Sequence, residues 1–168
     1  MIARQKNPVY NHSINPTYNH RINPIYNHSI NPIYNHNINP IYNHNINPIY
    51  NHNINPIYNH NFNPTYNHNI NPTYNHNINP IYSNLIPDLF IYNINSYNIN
   101  EYAIKFGENF LLIFNIETNI QSKFGIRNNK DGYNIFNLDN EHIGHFVKDP
   151  NDGYIIFKDN TEWIGNAN

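Results

Sequence analysis

Proline stands at positions 8, 16, 24, 32, 40, 48, 56, 64, 72 and 80, one every eight residues, and no helix can run through that spacing. Each proline would remove a hydrogen-bond donor and collide with the preceding turn, at about 3 kcal/mol per residue in a helix interior. The prolines belong to near-copies of one octapeptide, N-P-x-Y-N-H-x-I, the last of which decays to "NPIYSNLI" before Pro87. Asn opens both halves, so the octad is also a pair of tetrads, with variation at the third and seventh places.

Two conformations meet these constraints. In the first, every Asn-Pro starts a local turn: proline presets the dihedral of the second turn position, and the Asn side chain can accept from the backbone two residues on. The segment is then extended or turn-rich, largely uncompacted or disordered, and spans on the order of 250 Å if drawn out at about 3.3 Å per residue. In the alternative, a β-solenoid, the even period puts Pro, Tyr, His and Ile on one face and Asn and the variable residues on the other. Asn ladders and stacked tyrosines would stabilise such coils. Against them, each proline costs a ladder hydrogen bond, and the array holds no glycine for tight corners. The first conformation is the one expected.

All eleven acidic residues lie at Asp88 or beyond, whereas Arg21 is the only charged residue between Asn7 and Tyr82. That contrast divides the chain into a repeat segment, 1–86, and a second domain, 87–168. Net charge is −2, and neither part has a block of Lys or Arg to neutralise a row of phosphates, which argues against nucleic acid and membrane partners. Without cysteine there is no thiolate metal site and no cysteine nucleophile. The opening "MIARQKNPVYNH" lacks the apolar core of a signal peptide, and no eighteen apolar residues run together, so a cytoplasmic location is expected.

Nine of the eleven histidines, His12, His20, His28, His36, His44, His52, His60, His68 and His76, recur at spacing eight. In period and histidine alone the array resembles the copper-binding octarepeats of prion proteins, which are glycine-rich. Imidazole suits copper, zinc or nickel, so these nine are the candidate metal ligands, and metal sequestration is the alternative function. Extended neighbours would lie about 26 Å apart and would need the chain to loop; in a solenoid with one coil per octad the rings would stack about 4.8 Å apart. The plainer expectation is solvated side chains copied with the repeat and no cofactor at all.

From Asp88 the texture changes to "LFIYNIN", "NFLLIFNIE", "GYNIFNLDNEHIGHF" and "GYIIFKDNTEWIG", apolar runs bounded by Asn, Asp and Gly that read as β-strands and hairpins. Residues 131–144 align without gaps on 152–165, and the strand cores "IYNIN", "IFNIE", "IFNLD" and "IFKDN" step by about 22 residues. The second domain is therefore expected to be an all-β module of about four β-hairpin repeats, turning at Asp-Gly pairs and at Asp139-Asn140 and Asn160-Thr161. The repeat "G-Y-x-I-F-x-x-x-x-E-x-I-G" is clear in the last two units; Lys105 to Gly107 and Ser122 to Gly125 depart from it. In this repeat the domain resembles the four-fold beta-flower family, small bacterial domains of four petal-like hairpins. That resemblance implies a fold and no activity.

No catalytic spacing of known chemistry occurs. Glu141 and His145 would share a face on a regular strand, but the expected setting is a solvent-facing hairpin end. Trp163, the only tryptophan, is expected in the core or on a sheet face. The sequence therefore reads as a non-enzymatic structural or binding protein, a repeat spacer or display array carrying a small β module whose protein or ligand partner it does not name.

Overall fold

The computed structural model describes residues 4–168; the first three residues of the expected 1–86 segment lie outside them. Every strand signal after Asp88 is realised, as β1 (Leu89–Asn93), β2 (Asn98–Phe106), β3 (Phe110–Asn115), β4 (Gln121–Arg127), β5 (Tyr133–Asn137), β6 (His142–Lys148), β7 (Tyr154–Lys158) and β8 (Trp163–Ala167). Each pairs antiparallel with the next, and β8 returns to β1, so the sheet closes into an eight-strand barrel without an edge.

The strands are short and almost continuously apolar, as in "FLLIFN" and "YIIFK", because both faces are buried. Alternate residues point inward: Leu89, Leu111, Ile113, Tyr133, Ile135, Tyr154 and Ile156 form the luminal core. Their neighbours Tyr102, Leu112, Phe114, Phe124, Phe136, Ile155 and Phe157 point outward and are buried as well. In an isolated barrel that outer face would meet water. Here the octads cover it.

The octads are turn-rich, as expected, but they are neither drawn out nor stacked as a solenoid. Each tetrad is one turn. In the octad opening at Asn47, the Asn47 carbonyl accepts from the N–H of Tyr50 at 3.1 Å and of Asn51 at 2.8 Å, and the Asn51 carbonyl accepts from Ile54 at 3.2 Å. Some second tetrads tighten into single 3₁₀ turns, as at His52–Ile54 and His68–Ile70. The two Asn side chains join successive turns. Asn47 Oδ1 accepts from Ile49 N at 2.8 Å while its Nδ2 donates to the Pro40 carbonyl at 2.8 Å. Asn51 Oδ1 accepts from Asn53 N at 3.2 Å while its Nδ2 donates to the Asn45 carbonyl at 2.6 Å. The same bonds recur along the array, so Asn supplies between turns the hydrogen bonds that proline denies to a ladder.

This string of turns is a belt around the barrel, running against the strand order. Near its start, Lys6 Nζ donates to the Asp88 carbonyl at 3.4 Å, beside β1. The Ile14 carbonyl accepts from Asn166 Nδ2 of β8 at 3.2 Å. Ile22, Ile30 and Ile38 pack on Val147, Ile155, Phe157 and Trp163 of β6 to β8. The Ile46 carbonyl accepts from the buried Asn134 of β5 at 2.7 Å. Phe62 meets Phe110 of β3 edge-on at 5.4 Å, and Ile78 and Leu85 bring the chain back to Phe90 of β1. One circuit is thus complete where β1 begins.

The facing of the octad differs from the solenoid pattern. Ile and the Asn-Pro pair turn inward, whereas Tyr, His and the third-place residue turn to solvent. Apolar burial selects the Ile side, at roughly 1.5–3 kcal/mol for each one fully covered. Asn-Pro follows it inward because the Asn amide is satisfied there by the previous turn.

Candidate functional site

An eight-strand barrel has an interior just wide enough to be filled by side chains or to hold one small ligand. This one is filled at one end and open at the other. The filled end holds Leu89, Leu111, Tyr133, Tyr154 and Phe146. Burial, followed by the neighbouring Tyr154, pushes the Tyr133 hydroxyl up to about 12.

At the open end lies a cavity of about 330 Å³ to which all eight strands contribute. Its shape comes from a bulge that recurs in each hairpin. Ile91 pairs with Glu101 and Tyr92 with Ile99, leaving Asn100 extra; Ile113 pairs with Lys123 and Phe114 with Gln121, leaving Ser122. Likewise Ile135 pairs with Gly144 and Phe136 with His142, leaving Ile143, and Ile156 pairs with Gly165 and Phe157 with Trp163, leaving Ile164. Bulges re-aim side chains at barrel rims. The bulge residues are Asn100 and Ser122, beside Glu101 and Lys123 on one half of the mouth, and Ile143 and Ile164, beside Gly144 and Gly165 on the other.

The cavity therefore has two unlike halves. On the apolar half, a Cβ on Gly144 would run into the Phe157 carbonyl and one on Gly165 into the Tyr92 carbonyl, so glycine is required by close backbone approach. On the polar half, Lys123 Nζ donates to Glu101 at 2.8 Å (Oε1) and 2.6 Å (Oε2), and Ser122 Oγ donates to Oε1 at 2.7 Å. Ile91, Ile113, Ile135 and Ile156 line the wall between them. Neither Glu101 nor Lys123 stands out in the sequence as a motif. The signal that could have found them is the departure of the earlier units from E-x-I-G.

The nine candidate metal ligands lie elsewhere. His12, His20, His28, His36, His44, His52, His60, His68 and His76 are all exposed on the outer face of the belt. Each ring stacks on the tyrosine of the following octad, not on another histidine, with centroids 4.0–4.4 Å apart. Among the described residues no three His, Asp or Glu side chains converge on a point where an ion would sit.

Glu141 and His145 do not pair. The bulge at Ile143 breaks the alternation that would have put them on one face; Glu141 instead accepts from Asn137 Nδ2 at 2.7 Å. His145 is not solvent-facing but 2% exposed beneath the belt, stacked on Phe157 at 5.5 Å, and neither ring nitrogen has a partner. Burial, with His142 adding to it, pushes its imidazole down to about 3; burial likewise takes His142 to about 4. Trp163 lies on the outer sheet face, packed with Ile22 and Phe157, as expected.

No protein-family model, curated protein or solved structure matches the chain. Among the described residues no helix is long and apolar enough to cross a membrane.

Proposed function

We propose that this is a non-enzymatic binding protein whose β-barrel takes a small ligand into its open lumen, while the octad belt sheathes the barrel and displays its outer residues. The observation that carries the reading is the 330 Å³ cavity, walled by isoleucines and furnished with one ion pair, at the mouth of a closed barrel. Ligand pockets are of this kind: concave, mainly apolar, with a few converging polar groups, and frequent in barrel mouths. Its capacity is about twice the ~150 Å³ that suffices to hold benzene in an apolar cavity.

The recurrence of the bulge at residues 100, 122, 143 and 164 supports reading the barrel as four copies of one hairpin. The belt does more than sheathe. Its exposed Tyr and third-place Ile side chains recur in successive octads with almost no charge among them, which supports the display role.

Toluene tests the lumen directly. A ligand that binds only the folded state raises the melting temperature by mass action. Saturating toluene is expected to raise it in the full chain and not in Ile164→Trp, whose larger ring fills the mouth. Equal responses of the two proteins, or none in either, would remove the lumen as the binding site.

A further inference from the structure

We infer that the lumen selects a small, uncharged amphiphile, an apolar body with a neutral head that both donates and accepts a hydrogen bond, such as a hydroxyl or a primary amide. The inference rests on the lumen being the ligand site and adds the class of ligand.

It follows from counting the unused hydrogen-bonding capacity at the polar half of the mouth. An ammonium has three N–H donors and a carboxylate about four lone-pair directions. Lys123 spends two donors on the two oxygens of Glu101, which leaves one. Glu101 receives those two and the Ser122 hydroxyl, which leaves one acceptor direction. The pair thus offers one donor and one acceptor side by side, with no net charge. An anionic head would satisfy Lys123 and face the Glu101 carboxylate; a cationic head would satisfy Glu101 and face the ammonium. Either would bring a third charge, unpaired, into a cavity walled by isoleucine, where an uncompensated charge is expensive. A hydroxyl or amide answers both vacancies.

The opposite half accounts for the body of the ligand. Gly144 and Gly165 stand where Lys123 and Glu101 stand in the other hairpins, so this half of the mouth carries no charged side chain at the equivalent positions. Ile143 and Ile164, the bulge residues beside them, line that half with apolar side chains. The charged groups of the pocket therefore lie on one side only, with Asn93, Asn100 and Asn115 as the further polar residues of its lining.

The test uses the full chain with labelled isoleucine methyl groups, titrated at pH 7 with 1-hexanol, hexanamide, hexanoate, hexylammonium and toluene. The expected result is that hexanol and hexanamide shift the methyls of Ile91, Ile113, Ile135 and Ile156 at concentrations at least about tenfold below those needed for hexanoate or hexylammonium. In the double variant Glu101→Leu with Lys123→Met, which removes both charges together and leaves neither stranded, the preference for hexanol and hexanamide over toluene is expected to be lost while toluene still binds. Hexanoate or hexylammonium binding as tightly as hexanol would overturn the ligand class and leave the lumen as a binding site. An unchanged preference in a folded double variant would overturn the role of the ion pair. Failure of all five probes would overturn both readings.

Discussion

Thr161 holds a left-handed backbone, φ 68°, at the β7–β8 turn, where a β-branched side chain is strained. Asn140 takes the same place in the β5–β6 turn at φ 67°, with the residue type that tolerates it. Thr161→Asn is therefore expected to stabilise the protein by about 0.5–1 kcal/mol, read from the urea midpoint at constant slope. The Asp-Gly turns show the opposite division of labour. Asp131 and Asp152 carry the positive φ, 59° and 66°, whereas Gly132 is glycine because a Cβ would enter the Phe146 carbonyl. The dipeptide was legible as a turn, but not which member did what. His145 makes the sharpest prediction at this scale. Its proton affinity is lower in the fold than in the unfolded chain, so the unfolded state binds protons first as the solution is acidified. Stability is then complete above about pH 6.5 and falls as pH drops toward 3, with His142 adding to the loss and Asp159, which favours protonated His142, opposing it. His145→Phe, which keeps the stack on Phe157, is expected to raise stability at pH 5 more than at pH 7.5. A variant with the parent's pH dependence would exclude His145 as the source.

At the scale of the octad, the Asn that opens each tetrad is the structural residue and the seventh-place residue is not. Asn47→Ala strands the Ile49 N–H and the Pro40 carbonyl together, and is expected to cost about 1–3 kcal/mol. Asn45→Ala, an exposed seventh-place change in the neighbouring octad, is expected to fall within about 0.5 kcal/mol. Thermal or urea unfolding of the two variants distinguishes them. The letters foretold the acceptor half of this arrangement, since Asx turns bond two residues ahead. The donor half reaches seven residues back from the first Asn of an octad and six from the second, and depends on successive turns lying against one another. The histidines belong to the same scale. Since they stack on tyrosine and do not converge in threes, one equivalent of zinc per two histidines is expected to leave the melting temperature unchanged. A rise with a fixed stoichiometry would support metal sequestration instead.

For the whole molecule, the belt and barrel bury one another's apolar faces, and the register of one against the other is set by the octad. Deleting residues 47–54 removes one octad and keeps every upstream isoleucine facing the barrel, at the expense of the closure at Asp88. Deleting residues 47–50 removes one tetrad and would turn the upstream tyrosines inward. The eight-residue deletion is expected to fold with a lower melting temperature, and the four-residue deletion to lose hydrogen-exchange protection throughout octads 7–46. Equal protection in both would mean that the belt does not dock in register.

Much of this protein was determined locally. The turn at each Asn-Pro, the exclusion of helix and the strands after Asp88 follow from dihedral preference, hydrogen-bonding capacity and apolar patterning within a few residues. The tertiary structure alone decided that the array is a belt instead of a spacer, because a turn every four residues leaves its global path open until an apolar surface is there to hold the isoleucines. It also decided what the unbroken apolar strands meant. "FLLIFN" is equally consistent with several burial schemes, and only closure of the barrel inside the belt shows both faces covered. The lumen is the extreme case. Glu101 and Lys123 are 22 residues apart and belong to no motif, and they meet at 2.6 Å because the curled sheet brings the inner faces of β2 and β4 together across β3.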